Sequence, residues 1–176
     1  MKVIKTIFDC VKVIEPSVYS DSRGSFHETF KEKDYSKILG PKNKFVQDNQ
    51  SFSNINVLRG LHFQRKKPQG KLVRVSYGEI YDVCVDIRKN SSSFGKYFGI
   101  TLNNNNKYQL WVPPGFAHGF LVKSEIAIVD YKCTNYYDPE DEVCLIFSDN
   151  DIGINWGTNC PIISGKDKKG LLLKDI

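Results

Sequence analysis

Short runs of β-branched and aromatic residues, bounded by turn formers, recur along this chain at residues 11–14, 25–30, 57–63, 72–77, 80–87, 97–102 and 127–132. Runs of this length at this spacing predict an all-β sandwich or barrel. Helix signals are few. Residues 33–39 are expected to form a short helix closed by Gly40 and Pro41. The tract 103–106, four asparagines, reads as a turn, because asparagine tolerates positive φ and its side chain competes for local backbone hydrogen bonds. No repeat or linker divides the sequence. Its 176 residues suit a single domain, which at this size buries about 70% of the surface its unfolded chain exposes.

One strand carries more information than the others. Tyr81, Val83 and Val85 alternate with Asp82, Cys84 and Asp86, the period-two pattern of a strand with two unlike faces. If the polar face looks into a barrel, the barrel holds a ligand. If it looks outward, it is an ordinary solvated face.

Composition narrows the function classes. Hydrophobic residues at 40% and charged residues at 26% are usual for a soluble protein, and no apolar run approaches the roughly 18 residues of a membrane span. The opening MKVIKTIFDC lacks the apolar core of a signal peptide, so a cytoplasmic location is expected. Cys10, Cys84, Cys133, Cys144 and Cys160 form an odd, scattered set with no C-x-x-C, which predicts free thiols, several of them buried. A net charge of +5 favours anionic partners. The lysines are spread along the chain without a stripe or a nucleic-acid-binding module, so a phosphate-bearing small molecule fits the charge better than nucleic acid.

Only three histidines are present, His27, His62 and His118, and no H-x-H pair could grip a metal from one strand. A metal-dependent barrel needs about three nitrogen or oxygen ligands converging on a point, so no metal is expected. His62 lies in Arg59-Gly60-Leu61-His62-Phe63-Gln64 and His118 in Pro113-Pro114-Gly115-Phe116-Ala117-His118-Gly119-Phe120. A histidine in an apolar pocket with one polar partner suits a base near neutral pH, although each alone also fits a hydrogen-bonded core residue.

Several stretches taken in order, namely 21–30 (DSRGSFHETF), Gln47-Asp48-Asn49, 59–64, Gln69-Gly70-Lys71, 78–88, 113–120, 131–137 and 164–167, resemble the dTDP-4-dehydrorhamnose 3,5-epimerases. The series covers most of the chain. The resemblance implies a cupin-like double-stranded β-helix, a homodimer, and conversion of dTDP-4-dehydro-6-deoxy-D-glucose to dTDP-4-dehydro-L-rhamnose. It implies His62 as general base, Asp167 as its orienting partner and Tyr131 as the acid on the other face of the sugar. It further implies that Arg23, Glu28, Gln47, Asn49, Arg59, Lys71, His118, Glu142 and Lys166 bind substrate, with Tyr137 stacking on thymine. His27 departs from the pattern, where an apolar or aromatic residue is expected.

Residue chemistry agrees with that assignment. A C4 ketone acidifies the hydrogens on C3 and C5, so removing either proton leaves an enolate with its charge on the ketone oxygen. Such a site needs a base, a cation or hydrogen-bond donor, and an acid. His62 with Asp167 supplies the first, Lys71 or a neutral donor such as His118 the second, and Tyr131 the third. No redox cofactor is required. Strict alternation, however, puts Arg59 and His62 on opposite faces of one strand. A β-bulge at Gly60 would bring them together, and a regular strand would remove Arg59 from the site. Three alternatives stay open: an epimerase acting only at C3 or only at C5, one acting on another nucleotide sugar such as a GDP-linked heptose, and a non-catalytic sugar-nucleotide-binding cupin.

Overall fold

The computed structural model describes residues 1–176. Two antiparallel sheets face each other. The first has the order β1 (Lys2–Ile7), β2 (Val11–Glu15), β10 (Gln109–Val112), β7 (Lys71–Tyr77), β12 (Ile126–Cys133) and β5 (Gln47–Asn54). The second runs β13 (Glu142–Cys144), β6 (Val57–Gln64), β11 (Phe116–Val122), β8 (Glu79–Asp86) and β9 (Tyr97–Asn103), and β14 (Ile162–Ile163) adds to β6 in parallel. A separate hairpin, β3 (Val18–Asp21) and β4 (Gly24–His27), stands off both sheets. The single α-helix, α1, spans Glu32–Leu39 and stops at Gly40, whose φ of 93° is open to glycine at little cost.

Three apolar clusters hold these layers. Val11, Val13, Val73, Val75 and Val129 of the first sheet meet Ile80, Cys84, Phe116, Phe120 and Val122 of the second and fill the space between them. The outer face of the second sheet, with Leu58, Leu61, Phe63, Val83, Val85 and Leu121, is covered by Leu145, Ile152, Trp156 and Leu173 from the C-terminal segment. Tyr35 and Leu39 of α1 cover Ile14, Leu72 and Trp111 on the outer face of the first sheet. Each such side chain taken from water contributes roughly 1.5–3 kcal/mol before entropy is counted.

Every expected strand is present within a residue or two except 25–30, of which only the part up to His27 is strand. The helix begins one residue earlier than expected. In the asparagine tract, the Asn103 side chain accepts the backbone N–H groups of Asn105 and Asn106, the local competition foreseen for this residue type. The ambiguity on β8 is also resolved. Asp82, Cys84 and Asp86 are fully buried on the inner side, while Val83 and Val85 join the outer cluster. Their polar face looks inward.

Candidate active site

Between the sheets opens a cavity of about 640 Å³, a size suited to a nucleotide-bound sugar. Eleven of the thirteen residues anticipated from the sequence line it: Gln47, Asn49, Arg59, His62, Lys71, His118, Tyr131, Tyr137, Glu142, Lys166 and Asp167. Arg23 and Glu28 do not. Arg23 occupies the β3–β4 turn, with its side chain 88% exposed and paired to Asp21. Glu28 follows β4, pairs with Lys31 and lies against α1. Neither reaches the cavity of its own chain.

The register of β6 removes the difficulty over Arg59. On β11, His118 faces His62 and Phe120 faces Arg59, so Gly60 and Leu61 together oppose the single residue Gly119. Two residues against one is a bulge, which turns both Arg59 and His62 to the inner face. Only glycine fits there. Gly60 has a φ of 118°, and a Cβ would lie 2.6 Å from the Gly119 Cα. Arg59 is then fixed by hydrogen bonds to the Ser53 hydroxyl at 2.9 Å and the Phe52 carbonyl at 3.3 Å.

His62 Nε2 lies 2.7 Å from Asp167 Oδ1. Burial pushes the Asp167 carboxyl up, but its contact with His62, the Gly60 N–H and Ser164 outweigh that, and the net shift is down. An ionised carboxylate only accepts, so Nε2 carries the hydrogen and Nδ1 is left as the basic nitrogen. Glu142 Oε1 stands 4.0 Å from Nδ1. The other Glu142 oxygen accepts from the Tyr137 hydroxyl at 3.1 Å and from Lys166. Tyr137 is placed further by its backbone N–H, which donates to Gln47 Oε1 at 2.8 Å.

The opposite wall comes from the first sheet. Tyr131 projects from β12, and burial raises its pKa, so it holds its proton at neutral pH. Lys71, at the start of β7, is buried. Burial pulls its amine down, and its one hydrogen bond within the chain is to the His62 carbonyl at 3.4 Å. The cavity thus sets a carboxylate-paired histidine on one sheet against a neutral phenol on the other.

Sequence reasoning missed several residues. His118 Nε2 is 2.7 Å from Asp82 Oδ1, a second histidine–carboxylate pair. Asp82 carried a signal, its place on the polar face of β8, but no motif marked it. Ser51 lines the cavity with a buried, unpartnered hydroxyl. Cys144 faces His62 across the β13–β6 pairing and forms with His62 and Asp167 a group whose ligand atoms lie within 4.8 Å of one another. Two strands and a turn far apart in sequence make this cluster, so spacing could not reveal it.

A double-stranded β cupin-like fold whose inner cavity pairs a carboxylate-oriented histidine with a tyrosine defines an isomerase of the carbon-acid kind. A family model described as dTDP-4-dehydrorhamnose 3,5-epimerase matches residues 5–175, and the chain belongs to that family. The dTDP-4-dehydrorhamnose 3,5-epimerase of Escherichia coli (strain K12) is 50% identical over 178 residues, spanning 100% of this chain and 96% of that one. That of Methanothermobacter thermautotrophicus is 50% identical over 177 residues, spanning 99% and 95%. Among solved structures, the dTDP-6-deoxy-D-glucose-3,5-epimerase of Legionella pneumophila Philadelphia 1, in complex with dTDP-4-keto-L-rhamnose, superposes with a TM-score of 0.95. It is 47% identical, over 98% of this chain and 93% of that one.

Proposed function

We propose that this chain inverts C3 and C5 of dTDP-4-dehydro-6-deoxy-D-glucose, giving dTDP-4-dehydro-L-rhamnose, with His62 as base and Tyr131 as acid. The observation that carries this is the placement of the His62–Asp167 pair and Tyr131 on opposing sheets of one cavity. His62 Nδ1 takes the proton from the carbon next to the ketone. The C–H electron pair becomes the enolate, and the charge on the ketone oxygen is met by Lys71. Tyr131 returns a proton to the opposite face, which inverts the centre, and both groups are then restored as the His62 imidazolium gives its proton to water and the tyrosinate takes one from water. The same cycle at the second carbon completes the reaction, and neither step transfers an electron to or from the protein.

Arg59 and Lys166 supply positive charge for the diphosphate, and exposed Tyr137 offers a ring for the base to stack on. We place Arg23 and Glu28 in the site of a second copy of the chain. Their hairpin stands off both sheets and exposes Tyr19 and Phe26, each 66% accessible, as an arm of a homodimer would. No helix is long and apolar enough to cross a membrane, and the nucleotide-sugar substrate suits a cytoplasmic enzyme.

Incubation with dTDP-4-keto-6-deoxyglucose in D₂O, with deuterium located by NMR, tests the reading. Label at both C3 and C5, with inversion at each, is expected. Label at one centre only would make the chain a mono-epimerase, and label at neither would make it a binder.

A further inference from the structure

The two histidine–carboxylate pairs share one geometry and differ in what surrounds the carboxylate. His62 and His118 are direct cross-strand neighbours on β6 and β11, and each has its Nε2 2.7 Å from an aspartate Oδ1. Asp167 has help with its charge: its second oxygen accepts the Gly60 N–H at 3.3 Å. Asp82 has none. It is fully buried, and its Oδ2 has no hydrogen-bond partner.

A buried carboxylate without donors or a counter-charge is strongly unfavourable. A neutral His118 would leave its pair with Asp82 at a net charge of −1. A protonated His118 makes the pair neutral. The other groups around it do not supply the missing charge as closely. Lys71 on β7 feels the Asp82 charge, but no ion pair joins the two side chains, and burial pulls the amine down. Cys84 on β8 and Cys133 and Tyr131 on β12 are all pushed up by burial and stay uncharged. Arg59 on β6 is held by Ser53 and Phe52, while Glu142 and Asp167 serve His62.

We propose that Asp82 is a positioning residue that keeps His118 as an imidazolium, so that its Nδ1–H is a hydrogen-bond donor to the enolate oxygen beside Lys71. With Asp82 ionised, the donor role expected for His118 from the sequence requires the second ring proton. With the Nε2 hydrogen given to Asp82, a neutral ring has only a lone pair on Nδ1, and a lone pair repels an oxyanion. One cavity therefore holds two histidines in opposite protonation states, a base at His62 and a cation at His118. The difference is set by the N–H group that Asp167 receives and Asp82 lacks.

This inference rests on the epimerase reading, and its test separates the two. In ¹⁵N-histidine NMR of the wild type at pH 7, His118 is expected to be protonated on both ring nitrogens and His62 on Nε2 alone, with signals assigned through single His→Gln variants. Asp82→Asn is expected to turn His118 neutral and to lower kcat by on the order of 10²–10³, the worth of one oxyanion donor, with KM changed only a few-fold. A singly protonated His118 in an active wild type overturns this inference alone, as does an Asp82→Asn enzyme with unchanged kcat. A wild type that exchanges no deuterium into the sugar overturns the epimerase reading beneath it. Should Asp82→Asn fail to fold, the wild-type spectrum still decides the protonation state.

Discussion

At the scale of the residue, the proposed mechanism depends on an acid and a base held in different protonation states within one cavity. Burial holds the Tyr131 phenol neutral, as the proposed acid requires, while the Asp167 contact at Nε2 leaves Nδ1 of His62 for the proposed base. Removing only the phenol hydroxyl leaves the base and its partner in place. In Tyr131→Phe, deuterium exchange at C3 and C5 should therefore outlast inversion, with inversion slowed by on the order of 10²–10⁴. NMR in D₂O that follows each carbon separately checks this, and an equal loss of exchange and inversion would assign the tyrosine to orientation of the sugar. A second prediction concerns the trio His62, Cys144 and Asp167. Two of its members already bond to each other, and burial together with Asp167 pushes the Cys144 thiol up to about 12, so a metal would have to displace both that bond and a proton. Turnover should survive exhaustive chelation. Loss with EDTA that a stoichiometric divalent ion restores would refute the metal-independent mechanism.

At the scale of the element, the bulge on β6 controls the site. A side chain at Gly60 would strike the Gly119 Cα and the His118 carbonyl, and it would also have to accept a positive φ. Gly60→Ala is expected to cost about 1–3 kcal/mol of stability. It should also lower turnover more than a surface substitution of equal cost, since Arg59 and His62 both hang from that segment. Urea midpoints and kcat measured on the same samples separate the two effects. The end of β8 has a different task. Burial pushes the Asp86 carboxyl up, but hydrogen bonds from Arg88, Ser91 and Ser93 outweigh it and hold it well below the usual carboxylate range. A depressed carboxylate contributes stability in full above its unfolded pKa and loses it as the pH falls toward the folded value. Between about pH 5 and pH 2 the wild type should therefore lose stability more steeply than Asp86→Asn, as urea midpoints across that range would report. Parallel slopes would remove Asp86 from the acid response.

At the scale of the whole molecule, one chain does not complete the predicted site, because Arg23 and Glu28 stand away from its cavity. If a second copy supplies them, two different defects complement each other. A His62→Ala chain and an Arg23→Ala chain, each weak alone, form mixed dimers in which one site keeps both His62 and Arg23. Unfolding and refolding an equimolar mixture should raise activity well above the mean of the two parents, toward about a quarter of wild type for random pairing. Activity equal to that mean would place Arg23 in its own chain's site or outside any site.

The sequence by itself determined the fold class and the family, and it named most of the residues that line the cavity. Alternating β-branched runs commit a chain to sheets because only a pleated strand buries every second residue, and His62, Tyr131 and Asp167 were legible from ordered motifs. Tertiary structure alone decided three further matters. The direction of the polar face of β8 depended on which side the C-terminal segment covered, and alternation is symmetric between the two sides. The coexistence of Arg59 and His62 depended on the register of β6 against β11. The pairing of His118 with Asp82, 36 residues apart in the chain, depended on the antiparallel approach of β11 to β8. Contacts between distant strands are fixed by register, and register is a property of the assembled sheet.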